Sequence, residues 1–377
     1  MMAVRRKVCF VLPSLNGGGA ERAAVHILNH LAADRWERSM FLFSRTGPYL
    51  DELDPSIALA SASGSGRWAQ WQSLRAYIRR TRPQVVVSFL SYFSVLTAVR
   101  AAAVGARVVF NQQTPMSAFL EDGDYPWRRG WRRAVFNQAT RTGYAAADLI
   151  VTTSKGVADD LVETFGVRRE NIAVVPNPVD VEAVTRAAAQ PIDPQYQSVW
   201  TRPVIVAAGR LAEAKNYPLL IDAIAELRKQ IDVRLFILGT GELEPAIRER
   251  IRQRGLDASI ILCGFQKNPW KYIGKADVFA LSSRYEGFGN VLIEAMACGV
   301  PVVATKSAGT TEIVRHGVDG LLVDTHDPSS LSRALATLIA DPKVLERMSA
   351  AAVQGAERFA LPRIARLYDE TLMGALA

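Results

Sequence analysis

The sequence predicts an α/β protein of two doubly wound domains, each a parallel sheet covered by helices, and three observations carry that expectation. Short apolar runs of strand length alternate with longer amphipathic stretches along most of the chain, the pattern of successive strand–helix–strand units. The alternation stops once, over residues 176–203, where Pro176, Pro178, Pro191, Pro194 and Pro203 cluster and periodicity is lost; it then resumes. The length of 377 residues suits two domains, and a hydrophobic content of 49% is ample for two cores. The expected division is 1–180 and 181–359, with the proline-rich stretch as the connection.

In chain order, the uncharged run at 8–12 reads as a buried parallel strand. Asn16-Gly17-Gly18-Gly19 follows, then an amphipathic pattern over 23–31. A glycine turn between first strand and first helix is where doubly wound domains bind phosphate-bearing ligands. The dinucleotide spacing Gly-x-Gly-x-x-Gly is absent, however, and three glycines also suit a merely permissive loop. Further strands are expected at 40–43, 85–89, 107–110, 149–152 and 172–175, separated by helices such as 68–80, 95–104 and 130–146. In the second half the runs at 204–208, 233–238, 260–262, 278–281, 302–305 and 321–323 bring the count to six strands in each half. The tail, 328–377, is helical with a break at Phe359-Ala360-Leu361-Pro362.

A net charge of +8 and a pI of about 9.5 favour anionic partners: phosphorylated substrates, nucleic acid or acidic membrane surfaces. The cations are scattered and no recognition module is visible, so nucleic acid is not an expected partner. Cys9, Cys263 and Cys298 are odd in number and widely spaced, which argues against a disulfide framework or zinc site and for a reducing cytoplasm. The apolar run after Arg5-Arg6-Lys7 is too short for a signal core, and nowhere do 18 uncharged apolar residues stand in a row. Basic and aromatic residues interleave from Tyr125 through Trp127, Arg128, Arg129, Trp131 and Arg132 to Arg133. Such a segment suits peripheral contact with an anionic membrane; a solvated helix start with two packed tryptophans is the alternative.

The most informative stretch is 282–301. After the strand at 278–281 come a turn containing Gly287 and Gly289, a helical pattern starting at Asn290, and a stop at Gly299-Val300-Pro301. Backbone amides and the positive end of a helix dipole then converge on one spot, which suits an anion. Glu286 and Glu294 lie eight positions apart, about 12 Å by helical rise. That is of the order of a sugar diphosphate. One carboxylate could hold sugar hydroxyls and the other a ribose; otherwise Glu294 is a paired helix residue and Glu286 a loop charge. Gly209, Arg210 and Lys215 follow the first strand of the second half, where a guanidinium fork and an ammonium suit phosphate oxygens; an ordinary solvated Arg and Lys in a loop is the alternative. Gly239-Thr240-Gly241 and Cys263-Gly264-Phe265 are turns after the next two strands.

The run from Glu286-Gly287-Phe288-Gly289-Asn290 through Glu294 to Pro301, continued by Gly309-Thr310-Thr311-Glu312 and Asp319-Gly320-Leu321-Leu322-Val323, resembles the signature of retaining glycosyltransferases of family 4, with a GT-B fold. The resemblance spans nearly the whole chain; it is specific over 204–324 and loose over 1–180. It implies two Rossmann-like domains facing a central cleft, with 1–180 on the acceptor side, 181–359 binding the donor and 360–377 packing back on the first domain. It implies that Glu286, Arg210 and Lys215 are catalytic. The implied donor site comprises Gly17, Gly18, Gly209, Arg210, Lys215, Gly264, Phe265, Glu286, Gly287, Phe288, Gly289, Asn290 and Glu294.

The implied reaction is a front-face transfer in which the departing phosphate helps deprotonate the acceptor. It needs no protein nucleophile, cofactor or essential metal. The substrates would be a UDP- or GDP-sugar and a sugar or lipid-linked acceptor, for polysaccharide, glycolipid or lipid-linked oligosaccharide synthesis at the inner face of a membrane. One departure stands out. Where many members carry a histidine after the fourth strand, this chain reads Phe110-Asn111-Gln112-Gln113-Thr114-Pro115, so Gln112 or Gln113 is expected at the donor sugar. The four histidines, His26, His30, His316 and His326, read as surface or packing residues. A nucleotide-sugar epimerase on the same frame is the second enzyme class; it would need acid and base residues that the sequence does not place near the site.

Overall fold

The computed structural model describes residues 5–64, 66–89, 99–100, 102–121, 131–200, 203–324 and 326–376. The chain forms two compact units, Met1–Pro178 with Leu361–Ala377, and Val179–Ala360.

The first unit is a parallel sheet of β1 (Arg6–Leu12), β2 (Trp36–Leu42), β3 (Ala58–Ser61), β4 (Val85–Ser88), β5 (Arg107–Gln112), β6 (Leu149–Thr152) and β7 (Ile172–Val174). Its spatial order is β3-β2-β1-β4-β5-β6-β7. The second unit has β8 (Val204–Ala208), β9 (Arg234–Leu238), β10 (Ile260–Gly264), β11 (Val278–Leu281), β12 (Val302–Thr305) and β13 (Gly320–Val323), in the order β10-β9-β8-β11-β12-β13, again all parallel. The central strands β4, β8, β11 and β12 are buried along their whole length. That is why they read as unbroken apolar runs: parallel strands are covered by helices on both faces. In each sheet the order reverses beside the first strand, between β1 and β4 and between β8 and β11. The carboxyl ends at such a reversal are where doubly wound sheets receive ligands.

Two expectations need correction. The first sheet has seven strands, not six, because β3 was not foreseen. It lies at the sheet edge, reads Ala-Leu-Ala-Ser and is half exposed, so no apolar run announces it. The crossing between units lies within the expected stretch, at Pro178/Val179, but residues 179–200 are structured. Asp180 accepts from the Ala183 N–H at 2.9 Å and caps the helix Val181–Ala188. Pro194 starts a second short helix rather than breaking one. Val184 and Ile192 are buried, and Trp200 stacks 4.3 Å from Phe236. The unit boundary falls at Pro178 instead of residue 180, since the Val179 N–H donates to the Phe359 carbonyl at 2.9 Å and Val179 pairs with Ala360.

The last helix, Leu361–Gly374, belongs to the first unit. Its buried Tyr368 lies 6.2 Å from Phe10 and accepts from Asn111 Nδ2 at 3.0 Å. Asp369, also buried, accepts from Trp36 Nε1 and Arg35 Nη1. Half of the expected helix at 95–104 lies outside the described residues, as does the basic and aromatic segment up to residue 130.

Candidate active site

The loops leaving β8, β9 and β10 lie backbone against backbone. A Cβ on Gly239 would meet the Gly209 carbonyl oxygen at 2.0 Å, and one on Gly241 the Leu211 carbonyl at 2.4 Å, so no other residue fits. The Gly209 N–H donates to Leu238 at 2.9 Å, Leu211 to Thr240 at 3.0 Å, and Gly239 to Gly264 at 2.8 Å. Gly239-Thr240-Gly241 is thus the brace that holds the Gly209-Arg210 turn.

The loop after β8 is then tied to the loop after β11, across the reversal of strand order. Ser282 Oγ donates to the Lys215 carbonyl at 2.8 Å, and the Arg284 N–H to the Ala214 carbonyl at 2.8 Å. These bonds bring Lys215 Nζ to 2.7 Å from Glu286 Oε2, with side chains only 20% and 18% exposed. Ser283, fully buried, donates to the same carboxylate oxygen at 3.0 Å. The buried Tyr217 hydroxyl donates to the Gly209 carbonyl at 3.1 Å; burial, with the nearby Glu286 charge, raises its pKa. Arg210 directly follows Gly209, is exposed, and makes no ion pair among the described residues.

The glycine turn is clamped from behind. The Gly309 N–H donates to the Glu286 carbonyl at 3.0 Å, and a Cβ on Gly309 would reach Phe288 Cα at 2.3 Å. Phe288 is a packing residue, buried edge-on against Phe359 at 5.4 Å. Gly289, at φ +103°, leads into the helix Asn290–Ala297. Asp319 of the later signature is likewise structural: fully buried, it accepts from the Arg315 N–H at 2.7 Å and from Arg315 Nε at 2.6 Å.

Glu294 is nearly covered. It is 4% exposed, and its Oε2 accepts from Trp270 Nε1 at 2.7 Å. One turn on, burial and the Glu294 charge push the Cys298 thiol up to about 12. Gly264 adopts φ +67°, and Phe265 is 72% exposed rather than packed behind the strand, so its ring stands at the carboxyl end of β10.

In the first unit, Gly17 (φ +104°) and Gly18 precede the helix Gly19–His30. A Cβ on Gly18 would lie 2.1 Å from Glu21 Oε2, so a carboxylate already folds over that helix start. Gln112 is buried; its Nε2 donates to the Thr114 carbonyl at 2.6 Å and its Oε1 accepts from the Tyr144 hydroxyl at 2.8 Å. Gln113 donates to Asn111 Oδ1 and accepts from Asn177 Nδ2 at 2.7 Å. Both amides are therefore engaged at both ends.

Sequence reasoning gave no supporting role to Tyr217, Trp270, Ser283 or Gly309. Ser283 and Gly309 stand within stretches it singled out, whereas Tyr217 and Trp270 carried no signal. Among the described residues no group of three or more His, Cys, Asp or Glu could hold a metal ion, and no helix is long and apolar enough to cross a membrane.

Two doubly wound parallel sheets, with the final helix returned to the first unit, make this a GT-B fold. HepE of Anabaena, solved in complex with UDP, matches it at a TM-score of 0.79 and 21% identity, over 98% of this chain and 100% of that one. Two family models divide the chain: Glycosyltransferase Family 4 matches residues 17–183 and Glycosyl transferases group 1 matches residues 190–354. The chain belongs to this family of glycosyltransferases. It is 35% identical over 61% of its length to the N-acetylgalactosamine-N,N'-diacetylbacillosaminyl-diphospho-undecaprenol 4-alpha-N-acetylgalactosaminyltransferase of Campylobacter jejuni. The match spans 61% of that relative's own length. The lipopolysaccharide core biosynthesis glycosyltransferase LpsE of Rhizobium meliloti is 27% identical over 88% of each chain.

Proposed function

We propose that this protein transfers a sugar from a UDP- or GDP-sugar to an acceptor hydroxyl, with retention of configuration and without an essential metal ion. The observation that carries the reading is the Lys215–Glu286 pair, 2.7 Å apart, on the two loops flanking the reversal of the second sheet. The pair stands at the amino end of the helix Asn290–Ala297: a Cβ on Gly289 would lie 3.3 Å from Glu286 Cγ.

In this reading Arg210, Lys215 and the first amides of that helix meet the diphosphate. Glu286 takes hydroxyls of the sugar, Glu294 the ribose, and the turn at Gly264 and Phe265 the base. The bond from the anomeric carbon to phosphate oxygen breaks while the acceptor oxygen bonds the same face. The acceptor's proton passes to the departing phosphate oxygen. Negative charge grows on that phosphate, and preorganised cations and amides lower the barrier.

The names of the two relatives, one acting on a diphospho-undecaprenol and one in lipopolysaccharide core synthesis, favour a glycolipid, lipid-linked oligosaccharide or polysaccharide acceptor. Peripheral contact with an anionic cytoplasmic membrane face fits Trp131, 73% exposed, with exposed Arg132 beside it and exposed Val135 one turn on. Flotation with acidic liposomes at low salt tests that contact; a protein that stays at the bottom of the gradient overturns it.

The decisive experiment is a donor panel with undecaprenyl-linked and lipopolysaccharide-core acceptors. Transfer yields glycoside with the donor's anomeric configuration plus free nucleoside diphosphate, at a rate unchanged by chelator. Sugar inversion at a ring carbon without nucleotide release would make the protein an epimerase instead.

A further inference from the structure

We propose that Trp270 is a positioning residue for Glu294: its indole N–H fixes the carboxylate that meets the ribose of the nucleotide. The inference rests on the donor reading above and adds to it a residue 24 positions away in the chain.

Glu294 is nearly fully buried, on a helix whose neighbours Leu292, Ile293, Ala295 and Met296 are all buried and apolar. A carboxylate in such surroundings is costly unless donors hold it. Trp270 Nε1 supplies one at 2.7 Å. Indole N–H is a donor only, so its bond to Oε2 holds that oxygen and constrains how the carboxylate is turned.

The mount of Trp270 is tied at several points. Its short helix, Trp270–Ile273, is held below by Tyr272 and Ile273, both fully buried. Tyr272 donates its hydroxyl to Asp193, as does the Lys271 ammonium. Before the helix, Asn268 Nδ2 donates to the Ala187 carbonyl at 2.9 Å. After it, Lys275 Nζ donates to the Ala188 and Gln190 carbonyls at 3.0 and 2.6 Å. A Cβ on Gly274 would stand 2.8 Å from Ala188 Cβ and 3.6 Å from Cys298 Cβ, so glycine there lets three helices close together.

The segment 264–270 joins the exposed Phe265 turn to Trp270. Base turn and ribose carboxylate are thereby fixed by one short piece of chain. Preorganisation of this kind raises affinity by removing the ordering cost of the binding group.

The test measures binding of uridine, guanosine and adenosine diphosphates by calorimetry, each beside its 2′,3′-dideoxy form. For whichever nucleotide binds, Trp270→Phe weakens the ribose form about tenfold, the value of one hydrogen bond to a charged group. It leaves the dideoxy form within about twofold, since no hydroxyls remain to be positioned. Equal weakening of both forms, or of neither, overturns the proposal. Glu294→Gln separates the two levels of inference: if it keeps the wild-type preference for ribose over dideoxy, or if no nucleotide binds the wild type, the donor reading itself fails. An independent measurement needs no variant. In indole-labelled wild-type protein the Trp270 N–H resonance shifts on adding the ribose nucleotide and stays put with the dideoxy form; a resonance indifferent to both overturns the positioning role.

Discussion

The two units use their polar side chains in opposite ways. In the second, Lys215 and Glu286 stand on the loops after β8 and β11, the strands between which the sheet order reverses. In the first, Gln112 and Gln113 stand at the end of β5, one strand beyond the corresponding reversal. The second unit's pair is charged and about one-fifth exposed, so a ligand phosphate or hydroxyl can replace either partner. Gln113 belongs to a network running through Asn111 to the last helix at Tyr368, and Gln112 bonds Tyr144 separately. Withdrawing an amide from that network strands a buried partner, which is expensive. Polar side chains at strand ends thus form a partly exposed ion pair in one unit and a hydrogen-bonded network in the other. Position relative to the reversal, and access to water, make the difference.

The comparison can be broken most directly at Glu286. Glu286→Gln lowers turnover by roughly 10²–10³-fold, the effect of removing one preorganised charge from a transition state. Circular dichroism stays unchanged; near-normal transfer by the folded variant would take Glu286 out of the site. Next in size, Lys215→Ala weakens nucleoside diphosphate binding by about 10–100-fold in calorimetry, with the wild-type affinity falling as salt rises. Unchanged affinity would leave the ion pair a structural tie like the first unit's network.

Gln112→Ala sharpens the contrast from the other side. It strands the buried Tyr144 hydroxyl and costs about 1–3 kcal/mol of stability in denaturant titration, while the donor KM moves less than about twofold. A large change in donor KM without loss of stability would give the first unit a chemical role there. The smallest effect concerns the thiols. Cys9 in the first unit and Cys298 in the second are both pushed up to about 12 by burial. A raised pKa keeps the thiol protonated at pH 8. Alkylation of the native protein is therefore slow in both units and rises about tenfold per pH unit below that value. Fast labelling of Cys298 alone at pH 8 would mark an opening of the second unit near Glu294.

Much of this was legible in the chain. The central strands announced themselves because burial on both faces favours apolar side chains, as in Val85-Val86-Val87. β3 was hidden because an edge strand exposed on one side needs no apolar run. The stretch 176–203 read as a connection because prolines break helices in general, yet one at the first position starts a helix, as Pro194 does. In the site, the glycine turn, Glu286, Arg210 and Lys215 could be picked out by residue type and by their place after strands. The burial of Glu294 and its tie to Trp270 could not, since no local spacing relates them.

By itself the sequence determined the alternation of strands and helices, hence two parallel sheets, and the residue types crowded at the strand ends of the second half. Those are local properties: periodicity, glycine and proline placement, and charge. Only the tertiary structure decided that Lys215 and Glu286, 71 residues apart, share a hydrogen bond, that Glu294 bonds Trp270, and that Gln112 and Gln113 are held by hydrogen bonds. Those facts depend on which strands become neighbours, and strand order in a parallel sheet is set by the packing of crossover helices rather than by anything written within the strands.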